Sequence, residues 1–178
     1  WCGDNEGYPL PPLNGWLEEN VKTFDGGDRH YHANSNSDGL SGSGPWTNFH
    51  PIWYFSGKPQ GFGKNMHGDW GLRTEIGTAV FVNFDSFRKF MPQEDWWPED
   101  WSKNEMWNKH YFGPLAGNAG PAKYFSTVEM NYGKPKGIED FCRKAQLVNY
   151  ESNRAMYEGW QHHIWNDASG ILTWMSQS

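Results

Sequence analysis

The chain has 178 residues, enough for one domain with a sizeable core. A net charge of −6, from 15 basic and 21 acidic residues, argues against nucleic acid or an anionic membrane surface as the main partner. No apolar run approaches the roughly 18 residues of a membrane span, and Cys2 and Cys142, far apart in sequence, supply neither a disulfide framework nor four zinc ligands.

Both cysteines read as buried thiols, which leaves the compartment open (periplasmic or secreted if the source is bacterial). The aromatic content is unusual. Trp contributes 12 residues, Phe 11 and Tyr 8, yet hydrophobic residues total only 37%. The apolar mass therefore sits in flat rings with polar edges. Such rings suit stacking on the C–H faces of sugars, and they equally suit filling a core.

In chain order, "WCGDNE" (1–6) reads as a strand end and "PPLNGWLEENVKTFD" (11–25) as a short helix with Leu13, Leu17 and Val21 spaced by four. "RHYHANSN" (29–36) alternates as a strand does. Residues 37–51 form a Gly/Ser/Pro loop without the Gly-Lys-Ser/Thr ending of a phosphate loop. "PIWYF" reads as a short strand or an aromatic loop, and "GLRTEIG" (71–77) as a strand ending in a carboxylate. "NFDSFRKFM" (83–91) has Phe84, Phe87, Phe90 and Met91 on one helical face. Residues 92–121 are a Trp-rich insertion whose Pro and Gly argue against regular structure, and loops of this length usually carry function. A helix is predicted over 138–164 from the stripe Ile138, Phe141, Cys142, Ala145, Val148, Ala155, Met156, Gly159 and Trp160. "SGILTWMSQS" (169–178) reads as a last strand.

Short strands alternating with helices predict an α/β fold with a parallel sheet and crossover helices. Both chain ends fall at strands, so the expectation is a piece of a larger α/β domain. If Glu6 and Glu75 end parallel strands, a (β/α)8 barrel would gather them at the face where active sites are built. Two carboxyls there, about 5–5.5 Å apart, are the machinery of a retaining glycosidase. One attacks the anomeric carbon; the other protonates the departing oxygen and later activates water. Arg73, two residues before Glu75, shares its strand face. It either favours the ionised Glu75 or pairs with another acid.

"W-C-G-D-N-E" resembles the strand-four motif of glycoside hydrolase family 2, and "L-R-T-E-I-G" resembles that family's strand-seven motif. "FCRKAQLVNYESNRAMYEGW" followed by "SGILTWMSQS" is similar to the family's last barrel helix and strand eight. The likeness covers essentially the whole chain and lies closest to the β-mannosidase and exo-β-glucosaminidase branch, including plant-type endo-β-mannosidases. It implies a partial (β/α)8 (TIM) barrel, strands four to eight, across 1–178: the C-terminal half of the catalytic barrel of a larger multidomain enzyme. It implies Glu6 as acid/base, Glu75 as nucleophile and Asn5 as a contact to the sugar's 2-hydroxyl. It further implies Trp174 as an aromatic platform, with Ser35 and Trp46 lining the pocket; Arg73 joins the expected substrate-binding residues from its strand-face position beside Glu75.

By the same resemblance the activity is hydrolysis of β-mannosides or related β-hexosides, with no cofactor and no metal. The partners are an oligosaccharide or glycoconjugate substrate, the N-terminal half of the barrel and accessory β domains; neither nucleic acid nor membrane is expected. The alternatives are an exo-β-glucosaminidase or β-galactosidase of the same family, or a non-catalytic carbohydrate-binding protein. The glucosaminidase motif more often has Ser-Asp where this chain has Asn5-Glu6, which favours a neutral 2-hydroxyl sugar; against that, Asp4 offers a negative charge to a 2-ammonium group. Without strands one to three, the 178 residues alone are expected to be inactive, with exposed sheet edges. His30 and His32 read as lining a sugar pocket before they read as zinc ligands. His162 and His163 read as satisfying a helix end. "DWWPEDW" (95–101) reads either as a platform for a longer glycan or as a packing surface for another domain.

Overall fold

The computed structural model describes residues 1–36, 40–44, 50–55, 71–78, 80–110 and 121–174, without the side chains of 53 and 121–124. The chain divides into two compact units. The first comprises Trp1–Pro45, Trp53–Ile76 and Tyr157–Ser178; the second comprises Trp46–Ile52 and Gly77–Met156.

The first unit holds a three-stranded parallel sheet of β1 (Gly42–Ser43), β2 (Gly71–Ile76) and β3 (Ala168–Thr173), in that order. Ser43 is in register with Glu75 and Thr173 with Ile76, so the three strands end together. Gly71 has φ +64, and a Cβ there would lie 3.0 Å from the Cβ of Ser41. Only glycine allows both the left-handed backbone and the close approach of the neighbouring strand. Tyr54, Ile76, Trp160 and Ala168 are buried in this unit.

Helix α1 (Leu13–Phe24) occupies the predicted 11–25 segment. It starts after the Pro11–Pro12 pair and ends at Asp25, followed by Gly26 and Gly27 with positive φ. Its apolar stripe is only partly covered: no residue is fully buried, and Trp16 is 63% exposed.

The predicted strands at 1–6 and 29–36 shrink to one parallel bridge, Cys2 with His32. The cause lies in residues 4–7. Asn5 N–H turns to Asp4 Oδ1 (2.8 Å), Gly7 N–H bonds Asn5 O (2.7 Å), and Glu6 has φ 56. This turn removes the donors a longer ladder would need. It also leaves Cys2 exposed, contrary to the expectation of a buried thiol; Cys142 is buried as expected.

The second unit is helical. Helix α2 (Phe84–Phe90) is capped by Asn83, whose side chain accepts from Ser86 N–H. The Trp-rich insertion is more regular than its composition predicts. It contains 3-10 turns at Gln93–Asp95 and Trp101–Lys103 and the helix α3 (Glu105–Lys109). Local caps cause this: Asp100 accepts from Ser102 N–H, and Asn104 from Trp107 N–H. The rest of the insertion, 111–120, lies outside the described residues.

Helix α4 (Pro121–Tyr132) was not expected. Helix α5 (Ile138–His163) matches the predicted 138–164, and its stripe is buried as the periodicity requires. Residues to Met156 belong to the second unit and those from Tyr157 to the first. "PIWYF" is neither strand nor loop but a 3-10 turn, Pro51–Tyr54.

The second unit's core gathers Phe81, Phe87, Trp107, Val128, Phe141, Cys142, Ala145 and Val148. Phe141 stacks on Phe125 at 4.2 Å and meets Phe81 edge-on at 4.8 Å. Each ring so buried contributes roughly 1.5–3 kcal/mol from area alone. The large Trp content is thus partly a core.

Candidate active site

Glu6 and Glu75 both lie in the first unit, on converging backbone. Glu6 ends the turn after Cys2. Its left-handed φ of 56 is unusual for a residue with a side chain and carries strain. Ser35 holds it there: the Ser35 hydroxyl accepts from Glu6 N–H at 2.9 Å. Ser35 N–H in turn donates to Asp4 O (3.2 Å), and Ser35 O accepts from Thr74 Oγ1 (2.7 Å). This one buried serine thereby ties the Glu6 turn to the strand that carries Glu75.

Glu75 is the fifth residue of β2 and is half-buried. Its carbonyl accepts from Gly44 N–H at 2.7 Å. Ser43, its register partner, donates its hydroxyl to Glu6 Oε1. A single side chain therefore reaches from the strand beside Glu75 to the Glu6 carboxylate. Ser43 N–H is itself held by Asn36 Oδ1 at 3.0 Å, and Asn36 N–H by Asn34 Oδ1 at 2.6 Å. Burial first, and then repulsion from the Glu6 carboxylate, raise the Glu75 carboxyl above the usual range. Glu6 thus contributes to the environment of Glu75 from beside the strand end.

Arg73 is buried but is directed elsewhere. Its Nη1 donates to Ser41 O at 2.9 Å, and its guanidinium carbon lies 5.5 Å from the centroid of the Trp160 ring. Burial lowers it to about 10. The shift on Glu75 is upward, so a cation favouring its ionised form is not what governs it.

Trp174 follows β3, and its N–H bonds Ile76 O at 2.8 Å, so it stands at the same sheet end as Glu75; it is 56% exposed. Asn5 is exposed beside Glu6. The Ser35 hydroxyl, expected in the pocket, is engaged with the Glu6 backbone. Trp46 lies outside the described residues. His30 and His32 pack edge to face at 4.4 Å, and among the described residues no three His, Cys, Asp or Glu side chains could hold a metal ion together. His163 faces Asp167 at 3.6 Å at the end of α5.

Ser43, Asn36 and Thr74 were not singled out in the sequence. Ser43 sits in a Gly/Ser/Pro stretch that carries no periodic signal, so its contact with Glu6 is visible only in the fold.

The structure is an α/β chain with a parallel sheet, with Glu75 near one end of it and Glu6 tied to that end through Ser43. No protein-family model matches the chain. Its homologues are an endo-β-mannosidase and exo-β-glucosaminidases, the branch of glycoside hydrolase family 2 that its motifs resemble. The mannosylglycoprotein endo-β-mannosidase of Lilium longiflorum is 26% identical over all of this chain and 22% of its own length. The exo-β-D-glucosaminidase of Arthroderma benhamiae is 27% identical over 77% of this chain and 15% of its own length. The crystal structure of the exo-chitosanase CsxA of Amycolatopsis orientalis superposes with a TM-score of 0.71 at 19% identity, covering 96% of this chain and 21% of that one. This likeness establishes a shared fold. The chain spans about a fifth or less of the relatives it matches.

Proposed function

We propose that the chain forms strands four to eight of a (β/α)8 barrel, the C-terminal half of the catalytic domain of a retaining β-glycosidase. The observation that carries the reading is that the Ser43 hydroxyl, from the strand position in register with Glu75, bonds the Glu6 carboxylate. The homologues support hydrolysis of a β-glycoside as the chemistry.

In this reading Glu75 attacks the anomeric carbon of the bound sugar, and the aglycone oxygen leaves with the Glu6 proton. A covalent glycosyl–Glu75 ester forms. Glu6, now a carboxylate, takes a proton from water, which breaks that ester and restores both groups. The scheme needs Glu75 ionised for attack and Glu6 protonated for departure of the aglycone. The upward shift of Glu75 in the free chain runs against the first need, and the bound substrate and the rest of the barrel would have to offset it. Asn5 contacts the 2-hydroxyl, and Trp174 stacks under the sugar.

The substrate proposed is a β-mannoside or related neutral β-hexoside of an oligosaccharide or glycoconjugate. One contact favours this over an amino sugar: Asp4 Oδ1 already accepts from Asn5 N–H, which ties the carboxylate into its own turn. The N-terminal barrel half and accessory β domains complete the enzyme, and the 178 residues alone are proposed to be inactive. Proton NMR of the first-formed sugar from a nitrophenyl β-mannoside, with the full-length protein, tests the mechanism. Retention releases the β anomer first; initial release of the α anomer rules the scheme out.

A further inference from the structure

The second unit carries an aromatic cavity that the carboxylate pair does not use. Its volume is about 360 Å3, and its walls include Trp97, Trp101, Trp107 and Phe125. That is within the range of small-ligand sites, roughly 300–1,000 Å3. None of its residues belongs to the unit that holds Glu6 and Glu75. We propose that this cavity is a second carbohydrate-binding site, which takes a pyranose unit of an oligosaccharide on the face of Trp97.

The rings divide the work. Trp107 is fully buried and belongs to the core. Trp101 and Phe125 stack in parallel, 5.1 Å apart at 8°, and form a flat, half-buried wall. Trp97 packs against Phe125 at 5.9 Å, yet stays 42% exposed. A large indole held open beside a cavity is a stacking surface for the C–H face of a sugar.

The segment is also built before any ligand arrives. Asp100 accepts from both the N–H and the hydroxyl of Ser102 and pairs with Lys103 at 2.9 Å. Asp95 accepts from Asn104 Nδ2 at 2.6 Å through its side chain and from Trp107 Nε1 at 2.8 Å through its carbonyl. Pro98 and Pro135 stiffen the walls.

The rim selects the class of ligand. It carries Glu99, Glu129 and Lys134, all exposed. A lipid chain would strip water from these charges without returning hydrogen bonds. A polyol returns them, donating to the carboxylates and accepting from the ammonium. Two carboxylates beside one lysine disfavour phosphate groups and nucleic acid.

The test uses the full-length protein and two probes, β-1,4-mannotetraose and the glucosamine tetramer, with binding followed by calorimetry in a Glu75→Gln background. Trp97→Ala should weaken at least one tetrasaccharide about tenfold. In the otherwise wild-type protein it should leave turnover of a nitrophenyl monoglycoside unchanged. Loss for the neutral probe alone assigns a neutral glycan, and loss for the amino sugar alone assigns an ammonium contact to Glu99 or Glu129. The double substitution Glu99→Gln/Glu129→Gln, which alters only exposed groups, carries the same test if Trp97→Ala does not fold. Affinity unchanged in both variants overturns the proposal, and so does an equal loss of nitrophenyl turnover. The binding arm reads independently of whether the protein hydrolyses anything.

Discussion

Replacing Ser35 with alanine removes one hydroxyl from the turn that carries Glu6. The main-chain bonds of Ser35 to Asp4 and Thr74 survive, so the lesion is confined to the 2.9 Å bond from Glu6 N–H. A hydrogen bond of this kind contributes about 1 kcal/mol net. It offsets the roughly 1–2 kcal/mol that a left-handed backbone costs a residue with a Cβ. With the anchor gone, relaxed turns gain about 1 kcal/mol, and the competent population falls about fivefold. Where the turn relaxes, the carboxylate shifts, and a displacement of about 1 Å costs up to about 100-fold in rate. Ser35→Ala in the full-length protein should therefore lower kcat by about fivefold with KM nearly unchanged, and lower stability by about 1 kcal/mol in urea unfolding. Steady-state kinetics on a nitrophenyl β-glycoside reads both constants. A kcat within twofold of wild type refutes the anchoring argument. A raised KM with kcat intact would instead put the hydroxyl on the sugar, as the family resemblance implies.

Ser43→Ala should reduce kcat about tenfold, because the Glu6 carboxylate loses its donor; Ser43→Thr, which keeps the hydroxyl, should recover most of it. Glu75→Gln should cost at least about 1,000-fold in turnover. It should also stabilise the fold at neutral pH. The Glu75 carboxyl is raised above its unfolded value, so the wild type loses stability as pH climbs from the unfolded value through the folded one. A neutral amide escapes that loss, so the variant should melt higher at pH 7 and lose its advantage in acid; equal melting at both would contradict the shift. Phe141→Ala should cost about 3–5 kcal/mol, because its ring bridges Phe81 and Phe125 in the core. Burial pushes the Cys142 thiol up to about 12, so a thiol reagent should label exposed Cys2 in the native protein and reach Cys142 only on unfolding; mass mapping of the labelled peptides checks this.

Helix α5 was legible because its buried side chains recur with the helical period from Ile138 to Trp160. Strand β3 was legible from the short apolar run after Gly170, and β2 as a strand-like piece between Gly71 and Gly77 that carries a carboxylate near its end. Strand β1 was not: Gly42–Ser43 has no side-chain pattern to read, and only pairing with β2 makes it a strand. The missed α4 did carry a weak signal, Pro121 at its start and Phe125, Val128 and Tyr132 on one face, but glycine-rich sequence before it masked the period. Short motifs pointed to Glu6 and Glu75. What joins them, Ser35 and Ser43, depends on contacts 29 and 37 residues apart in sequence, which no local pattern encodes. Arg73 shows the limit of the two-residue rule on a strand: sharing a face with Glu75 does not fix where a long side chain ends.

The measurement that bears most directly on the central claim is a covalent trap. The full-length protein should be incubated with a 2-deoxy-2-fluoro-β-mannosyl fluoride, digested and mapped by mass spectrometry. One fluorosugar per chain, on the peptide holding Glu75, and none in Glu75→Gln, is the predicted result. An adduct on another carboxylate, or hydrolysis of β-mannosides by the Glu75→Gln variant at the wild-type rate, would contradict it.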